Sequence, residues 1–514
     1  MTPQVNTAPS DAPSSSRTPL HLAVTFVGKF WQIGLALICM PIYLRALGPA
    51  AFGIIGLYLA IQRIASLFDS GFSRAINREL ASCRSGERPG NMLRTLEVAY
   101  GGVCVLAFVV VAVVAQVVSH WFPATTASGD PSSPLFLLMA GAIAAQLPSN
   151  FYCAAIAGLE RHVALNSIQG VWQGLRFVGA AVVVSRFPTL TAFFVWQIIT
   201  GIAFTMAAAC YAWRAAPASF RTSRIRPDLL RSISGYASGA TLCAVTAVFM
   251  TQLDKFILFY QLPAERFGYY MVAWSLAAIL FVIVSPITTV ILPRMARLAS
   301  LNDNVGLSRL YHTASQLMAL AVAPLMVTGV VFSEELLFAW LGDAATAKSS
   351  APVTSLLFLG IGLNCLNAMP HALQLATGWV SLTNWMNLVS LTILGPLVYL
   401  LCAAWGPVGA GVAWTVFAAV YLAAQIALMH RRLLPGERTT WLRDQLLIIA
   451  AAAAAAMAVR AGVNIEGRFG ALLGVSACWS LATIAALMAA PRLRRWAQRR
   501  AYAMAPSLAP SRQA

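Results

Sequence analysis

Apolar runs of about twenty residues recur along nearly the whole chain, and nothing else in the sequence limits its fold so strongly. A bilayer core about 30 Å thick is crossed by roughly 20 residues at helical rise. Fourteen runs long enough to cross fall near 21–46, 50–70, 95–118, 135–158, 167–185, 190–213, 235–261, 266–292, 310–332, 351–375, 383–404, 408–429, 445–462 and 469–490. With 59% hydrophobic and 10% charged residues and a mean hydropathy of +0.73, the composition lies far from that of soluble domains. The expected class is an all-α polytopic membrane protein of about 14 transmembrane helices.

The formal net charge of +18 raises the question of nucleic acid, and the placement of the charges answers it. Of the 35 basic residues, 25 precede the first run or fall in even-numbered connections and the C-terminal tail. Six fall in odd connections: Arg45, Arg186, Arg266, Lys348, Arg460 and Arg468. Lys29, Arg63, Arg176 and Lys255 lie within runs. That bias is the positive-inside pattern, which predicts both termini in the cytoplasm. The basic excess is therefore a topology signal, with attraction to acidic membrane lipids secondary and no nucleic-acid partner expected.

Residues 1–20 are rich in Pro, Ser and Thr, lack a signal-peptide pattern, and read as a disordered cytoplasmic tail. Connections are short, so function must reside within the membrane. Five arginines in "RAAPASFRTSRIRPDLLRS" mark residues 214–233 as a basic linker between an N-terminal six-helix lobe, 21–213, and a C-terminal one, 234–430. An internal echo supports that division: "LGPAAFG" at 47–53 and "LPAERFG" at 262–268 hold Leu, Phe and Gly in register 215 residues apart. Parallel repeats around a central cavity are a transporter plan. Residues 431–490 then form a basic loop and an appended helix pair, and 491–514 a basic cytoplasmic tail. The nine cysteines form no CxxC pair and read as packing residues, implying neither disulfide nor metal.

Polar side chains inside the runs are costly in lipid, by about 2.5–3.5 kcal/mol for a central charge. Helical spacing groups them. Thr25, Lys29 and Gln32 share one face; Tyr58, Gln62, Ser66 and Asp69 share another, beside Arg63; Gln169, Gln173 and Arg176 form a third stripe; Asn364, Asn367, His371 and Gln374 form a fourth. Any single amide reads first as a helix-packing hydrogen bond, and His371 as a packing histidine rather than a proton relay. Lys29 and Arg63 have snorkelling as their plain alternative. Four stripes together, richest in cations in the first half, point to a wet cavity with a positive field that suits an anionic cargo. No HExxH, GxSxG, Walker or paired-carboxylate motif is present, no metal or other cofactor is implied, and Glu334–Glu335 reads as a solvated helix end.

"YLRALGPAAFGIIGLYLA", "DSGFSRAINRELA", "LDKFILFYQLPAERFGYYMVAW", "PRMARLAS" and "GPVGAGVAW" together resemble the bacterial polysaccharide exporters of the Wzx type. These are lipid-linked oligosaccharide flippases of the multidrug/oligosaccharidyl-lipid/polysaccharide superfamily. The resemblance implies two lobes around a V-shaped cavity, alternating access in the bacterial inner membrane, and a cargo of oligosaccharide on undecaprenyl diphosphate. It implies no enzymatic activity, and a polysaccharide polymerase and a chain-length regulator as partners. Cationic cavity roles carry over to Lys29, Arg63 and Arg176. Asp69, Asp254 and Lys255 match recurrent family positions and are candidates for ion coupling or gating. Adjacent in sequence, Asp254 and Lys255 diverge by 100° on a helix, so the expectation is a gate-side carboxylate and a lysine that snorkels outward rather than a direct pair. A lipid II flippase and a drug or cation antiporter of the same superfamily are the nearer alternatives, and a membrane polymerase or glycosyltransferase the remoter one.

Overall fold

The structure is a computed structural model, and it describes residues 18–82, 89–121, 132–216, 238–463 and 467–495. The expected tail before residue 18, nearly all of the 214–233 linker and the tail from 496 onward lie outside those residues.

Local chemistry divides the first long apolar stretch. Gly48 adopts φ 80° and ψ 170°, a backbone region that side chains exclude, and Pro49 follows it, so α1 (Thr18–Ser82) is two helices joined at a kink. The chain continues through α2 (Pro89–Trp121), α3 (Ser132–Gly158), α4 (His162–Gly174), a π turn (Leu175–Gly179), α5 (Ala180–Arg186) and α6 (Leu190–Ala215). A second series follows: α7 (Ser238–Gln261), α8 (Ala264–Ala277), α9 (Ile279–Ser300), α10 (Asn304–Val331), α11 (Ser333–Leu341), α12 (Ala344–Leu366), α13 (Ala368–Ala376), α14 (Val380–Trp405) and α15 (Pro407–Leu433). Helices α16 (Arg438–Gly462) and α17 (Gly467–Met488) complete the fold. Side chains of Thr189, Asp303 and Asp343 cap α6, α10 and α12 by accepting a first-turn N–H.

Within the described residues, the fourteen expected runs map onto helices, and 11 continuous helical segments are long and apolar enough to cross a membrane. The two numbers differ for local reasons. The first two runs share α1, the π turn divides the fifth, and the seventh begins outside the described residues.

Helices α1–α6 pack together around α3, and α7–α15 form a second group in which α12 contacts α8, α10 and α15. The pair α16–α17 leans on α10 and α11 of the second group. Its inner fastening is polar: Gln316 donates to Asp444 Oδ2 at 2.9 Å and accepts from the backbone N–H of Arg492 at 3.1 Å. Beside it, Ser308 donates to Glu437 at 2.9 Å.

Contact between the two groups runs chiefly through α1, which packs against α7 and α8. The crossing is set by glycines. A methyl at Gly53 would meet the Ala264 carbonyl oxygen at 3.0 Å, and one at Gly268 would overlap the Pro49 carbonyl. Gly53 and Gly268 are the matched glycines of the 47–53 and 262–268 echo, and Pro49 and Ala264 are matched too. The contact is therefore reciprocal, as a two-fold relation between the groups requires. One turn along, Gly56 leaves room for Met271. Two longer bonds reinforce this end: Arg45 Nη2 donates to the Leu341 carbonyl at 2.6 Å, and Trp340 Nε1 to the Leu37 carbonyl at 2.8 Å.

The buried apolar residues divide accordingly. One large cluster crosses both groups, with Phe52, Ile55 and Tyr58 beside Phe267, Tyr270 and Met271. A second cluster, including Ile76, Leu80, Leu93, Phe151 and Ile156, belongs to the first group alone and lies where α1 ends and α2 begins. Among the described residues, the groups thus share a core at the 47–53 end and not at the other.

Gly268→Ala is expected to lower the thermal unfolding midpoint in detergent, because a backbone carbonyl cannot swing aside and overpacking costs about 1–3 kcal/mol. Gly101→Ala, on α2 with nothing within 4 Å of its added methyl, should leave the midpoint unchanged or raised. Equal midpoints for Gly268→Ala and the unaltered protein would show that the crossing tolerates a wider separation.

Candidate functional site

The site grows from the π turn. In a π turn each bond closes one residue later than in an α-helix, and carbonyls are left turned away from the helix ladder. Here two aromatic donors meet carbonyls of the turn, of which that of Phe177 also accepts the backbone N–H of Ala180. Trp196 Nε1 donates to the Leu175 carbonyl at 2.9 Å, and Tyr43 Oη to the Phe177 carbonyl at 2.6 Å. Gly179 gives the indole of Trp196 its place, since a methyl there would overlap the ring.

Arg176 sits in this turn, 7% exposed, at the edge of the first helical group that borders the crevice. Its Nε donates to Gln197 Oε1 at 3.1 Å and its Nη2 to Gln62 Oε1 at 3.0 Å. Gln62 passes the network on through Nε2 to Gln146 Oε1 at 2.5 Å, and Gln146 donates to Tyr58 Oη at 2.8 Å. The guanidinium carbon lies 5.3 Å from the Trp172 ring centre and 5.5 Å from that of Phe177. A guanidinium has five N–H donors. Two are held by amides, and no carboxylate pairs with it among the described residues. The charge therefore stays uncompensated at the edge of a narrow crevice between the groups, lined by Tyr43, Tyr58, Arg176, Phe193 and Gln197 and closed by Ser275 of α8.

Arg63 lies one helical step from Gln62 on α1 with its side chain exposed; its carbonyl accepts from Ser66 at 2.6 Å, and among the described residues no carboxylate pairs with its guanidinium. It is within electrostatic range of Lys255 across the gap between the groups. Lys255 is the opposite case. Its Nζ lies 3.0 and 3.1 Å from the two Asp254 oxygens and 2.8 Å from the Thr251 carbonyl, with the Trp274 ring centre 3.2 Å away. Tyr270 Oη donates to Asp254 Oδ2 at 2.5 Å.

This corrects the expectation of a snorkelling lysine and a separate gate-side carboxylate. Asp254 and Lys255 are 0% and 2% exposed and form a direct pair. The lysine stem is long enough to fold back over its own preceding turn, which brings adjacent residues together despite their divergent Cα–Cβ directions, and the indole covers it. The Glu334–Glu335 reading also changes, because Glu335 pairs with Arg460 of α16.

Among the described residues, the second and third polar stripes meet and the fourth does not join them. Gln62 and Arg176 meet; Gln173 is buried nearby with its Oε1 unpartnered, and Gln169 is half-buried. The fourth stripe breaks at Asn367, between α12 and α13, and turns into the second group. There Gln374 accepts from Thr383 at 2.6 Å and His371 Nδ1 lies 3.2 Å from the same hydroxyl, a packing arrangement. Asn364 is half-buried, and Asn367 is buried with an unpartnered Oδ1. Lys29, Gln32 and Asp69 lie on α1, with side chains outside the described residues. Gln146, Gln197, Tyr43 and Trp196 were not singled out by sequence spacing. Gln197 is the lone amide of its apolar run, and Gln146 has only Asn150 one turn on, so a criterion based on longer stripes passes over both.

The helical arrangement is shared with solved structures of a lipid flippase and of a multidrug transporter. A lipid II flippase MurJ structure in an inward closed conformation superposes with a TM-score of 0.69 at 10% identity, over 91% of this chain and 98% of that one. An inward-facing multidrug resistance MATE family transporter superposes with a TM-score of 0.64 at 13% identity, over 78% and 94%. The model of the family described as polysaccharide biosynthesis protein matches residues 21–299, more than half of the chain, and the chain belongs to that family. A Shigella flexneri relative named "Putative O-antigen transporter" is 22% identical over 390 residues, 72% of this chain and 88% of that protein. The protein is thus a multi-pass membrane protein of the polysaccharide biosynthesis protein family, with a helical fold shared with the MurJ flippase and a MATE transporter.

Asp254→Ala leaves the Lys255 ammonium buried without its counter-charge, a change that costs about 3–5 kcal/mol. A large fall in thermal midpoint and in membrane protein level is expected. Asp254→Leu combined with Lys255→Met removes both charges and should restore most of the loss. Equal losses in the single and double variants would refute a pairing role.

Proposed function

We propose that the protein carries oligosaccharide linked to undecaprenyl diphosphate from the cytoplasmic to the outer leaflet of the bacterial inner membrane, for assembly of a surface polysaccharide. The observation that carries this reading is a contrast of charges. Asp254 neutralises Lys255 within the second group, whereas Arg176 lies at the crevice between the groups and, among the described residues, neither it nor the exposed Arg63 pairs with a carboxylate. A crevice bordered by an unpaired guanidinium favours an anion. The bidentate fork of arginine suits diphosphate oxygens, and the Gln62, Gln146 and Gln197 amides suit hydroxyls. The same contrast disfavours a cationic drug as cargo. Lys29, on the α1 face that also carries Gln32, is proposed as a third cation of the site.

Sidedness follows from the basic-residue bias, which puts the Ser82–Pro89 end in the cytoplasm. The glycine crossing then closes the outer side, and the absence of a shared core at the other end favours headgroup entry from the cytoplasm. The polyprenyl tail remains in lipid at the gap, and the groups rock about the crossing. An O-antigen transporter among the relatives supports surface polysaccharide over lipid II, with a polymerase and a chain-length regulator receiving the product.

Inverted membrane vesicles loaded with labelled lipid-linked oligosaccharide test the reading. Charge-assisted hydrogen bonds contribute about 1.5–3 kcal/mol, so Arg176→Ala should slow flipping by roughly tenfold to a hundredfold. Arg176→Lys, which keeps the charge and loses the fork, should fall between. Undiminished flipping by the Arg63→Ala, Arg176→Ala double variant at normal protein levels would overturn the proposed site.

A further inference from the structure

The π turn has no sequence signature, yet two of its carbonyls are met by aromatic donors from different helices. We infer that Tyr43 and Trp196 are positioning residues for the cargo headgroup: they latch the π turn so that Arg176 projects into the crevice between the helical groups. The inference rests on the reading of Arg176 as a headgroup ligand.

A π turn persists only where its surroundings compensate the poorer bonding. Here the compensation comes from two sides. Trp196 reaches from α6 to Leu175 and packs on Gly179; Tyr43 reaches from the first half of α1 to Phe177. The two anchored carbonyls flank Arg176 in sequence. Gln197, next to Trp196, holds the Arg176 side chain, so α6 fixes the backbone and the guanidinium with adjacent residues. An α-helix turns about 100° per residue. Relaxation of the five-residue turn to α geometry therefore rotates Arg176 relative to α4 or α5 by a large part of that angle. The guanidinium then leaves Gln62 and Gln197 and points toward the lipid-facing side occupied by Leu175 and Val178, which are 51% and 45% exposed. Tyr43 itself lines the crevice. Its latch thus joins the headgroup site to the helix that also carries the Gly48 kink.

The test uses the full chain in detergent, with farnesyl diphosphate and farnesyl monophosphate as probes and calorimetry as the readout. Tyr43→Phe and Trp196→Phe each remove one donor and keep a ring. Loss of a hydrogen bond of ordinary strength allows a change of up to about tenfold. Each variant should weaken diphosphate binding by that order and lower the diphosphate-to-monophosphate affinity ratio toward that of Arg176→Ala. In an Arg176→Ala background neither should lower it further. General destabilisation would weaken both probes equally, so an unchanged ratio, or losses that add to those of Arg176→Ala, would overturn the inference. Wild-type discrimination by Arg176→Ala would instead remove Arg176 as headgroup ligand, and the inference with it. Hydrogen exchange over residues 175–180 then reads the turn separately, with faster exchange in both Phe variants where the latches hold it and unchanged exchange where they do not.

Discussion

Two glycines fix how closely the helical groups approach, and the rest of the molecule follows from where that approach occurs. Gly53 and Gly268 each face a backbone carbonyl of the opposite group at the 47–53 end. Backbone-to-backbone contact makes this end dense and continuous with a core shared by both groups. At the other end, the first group closes a separate core around Ile76 and Leu80. Among the described residues, the distribution of glycine and apolar side chains joins the groups at one end and gives the first group its own core at the other. No long connection or separate domain is required.

Within that frame, charge burial is handled in two ways. Lys255 is neutralised on its own hairpin by Asp254, with Tyr270 and Trp274 completing the shell, so it contributes to packing and little to the field in the gap. Arg176 receives amide oxygens instead. Neutral acceptors hold a guanidinium in place while leaving its charge to a ligand, whereas a carboxylate would hold it and cancel it. The amide network is thus a support for a charge whose counterion comes from outside the protein.

The membrane class, the fourteen apolar runs and the break between the first two were legible because composition and run length are local properties; that the break is a kink at Gly48 within one helical stretch came from the structure. The echo between 47–53 and 262–268 was legible too, and its meaning became clear once the matched glycines proved to touch. Arg176 stood out as a cation well inside an apolar run. Its partners did not, because Gln146 and Gln197 lie on other helices, and helical spacing relates only residues on one helix. The π turn was invisible for the same reason: the donors that stabilise it come from residues 43 and 196. The Asp254–Lys255 pair was misjudged because Cα–Cβ directions were used where side-chain reach decides.

Residues of α1 occur at every step of the proposed cycle. Tyr43 latches the π turn, Gly48 bends the helix, Gly53 and Gly56 make the crossing, Gln62 holds Arg176, and the exposed Arg63 follows it. A ligand shifts a conformational equilibrium only by its differential affinity for the two states. A headgroup that competes with Gln62 for Arg176 alters a bond between α1 and the π turn, and the same rigid helix half carries the glycines of the crossing about two turns away. Binding and rocking are then coupled through one element, without a longer chain of contacts. The coupling also explains why amides suit the Arg176 site: a neutral acceptor yields to a diphosphate, and a carboxylate would compete with it.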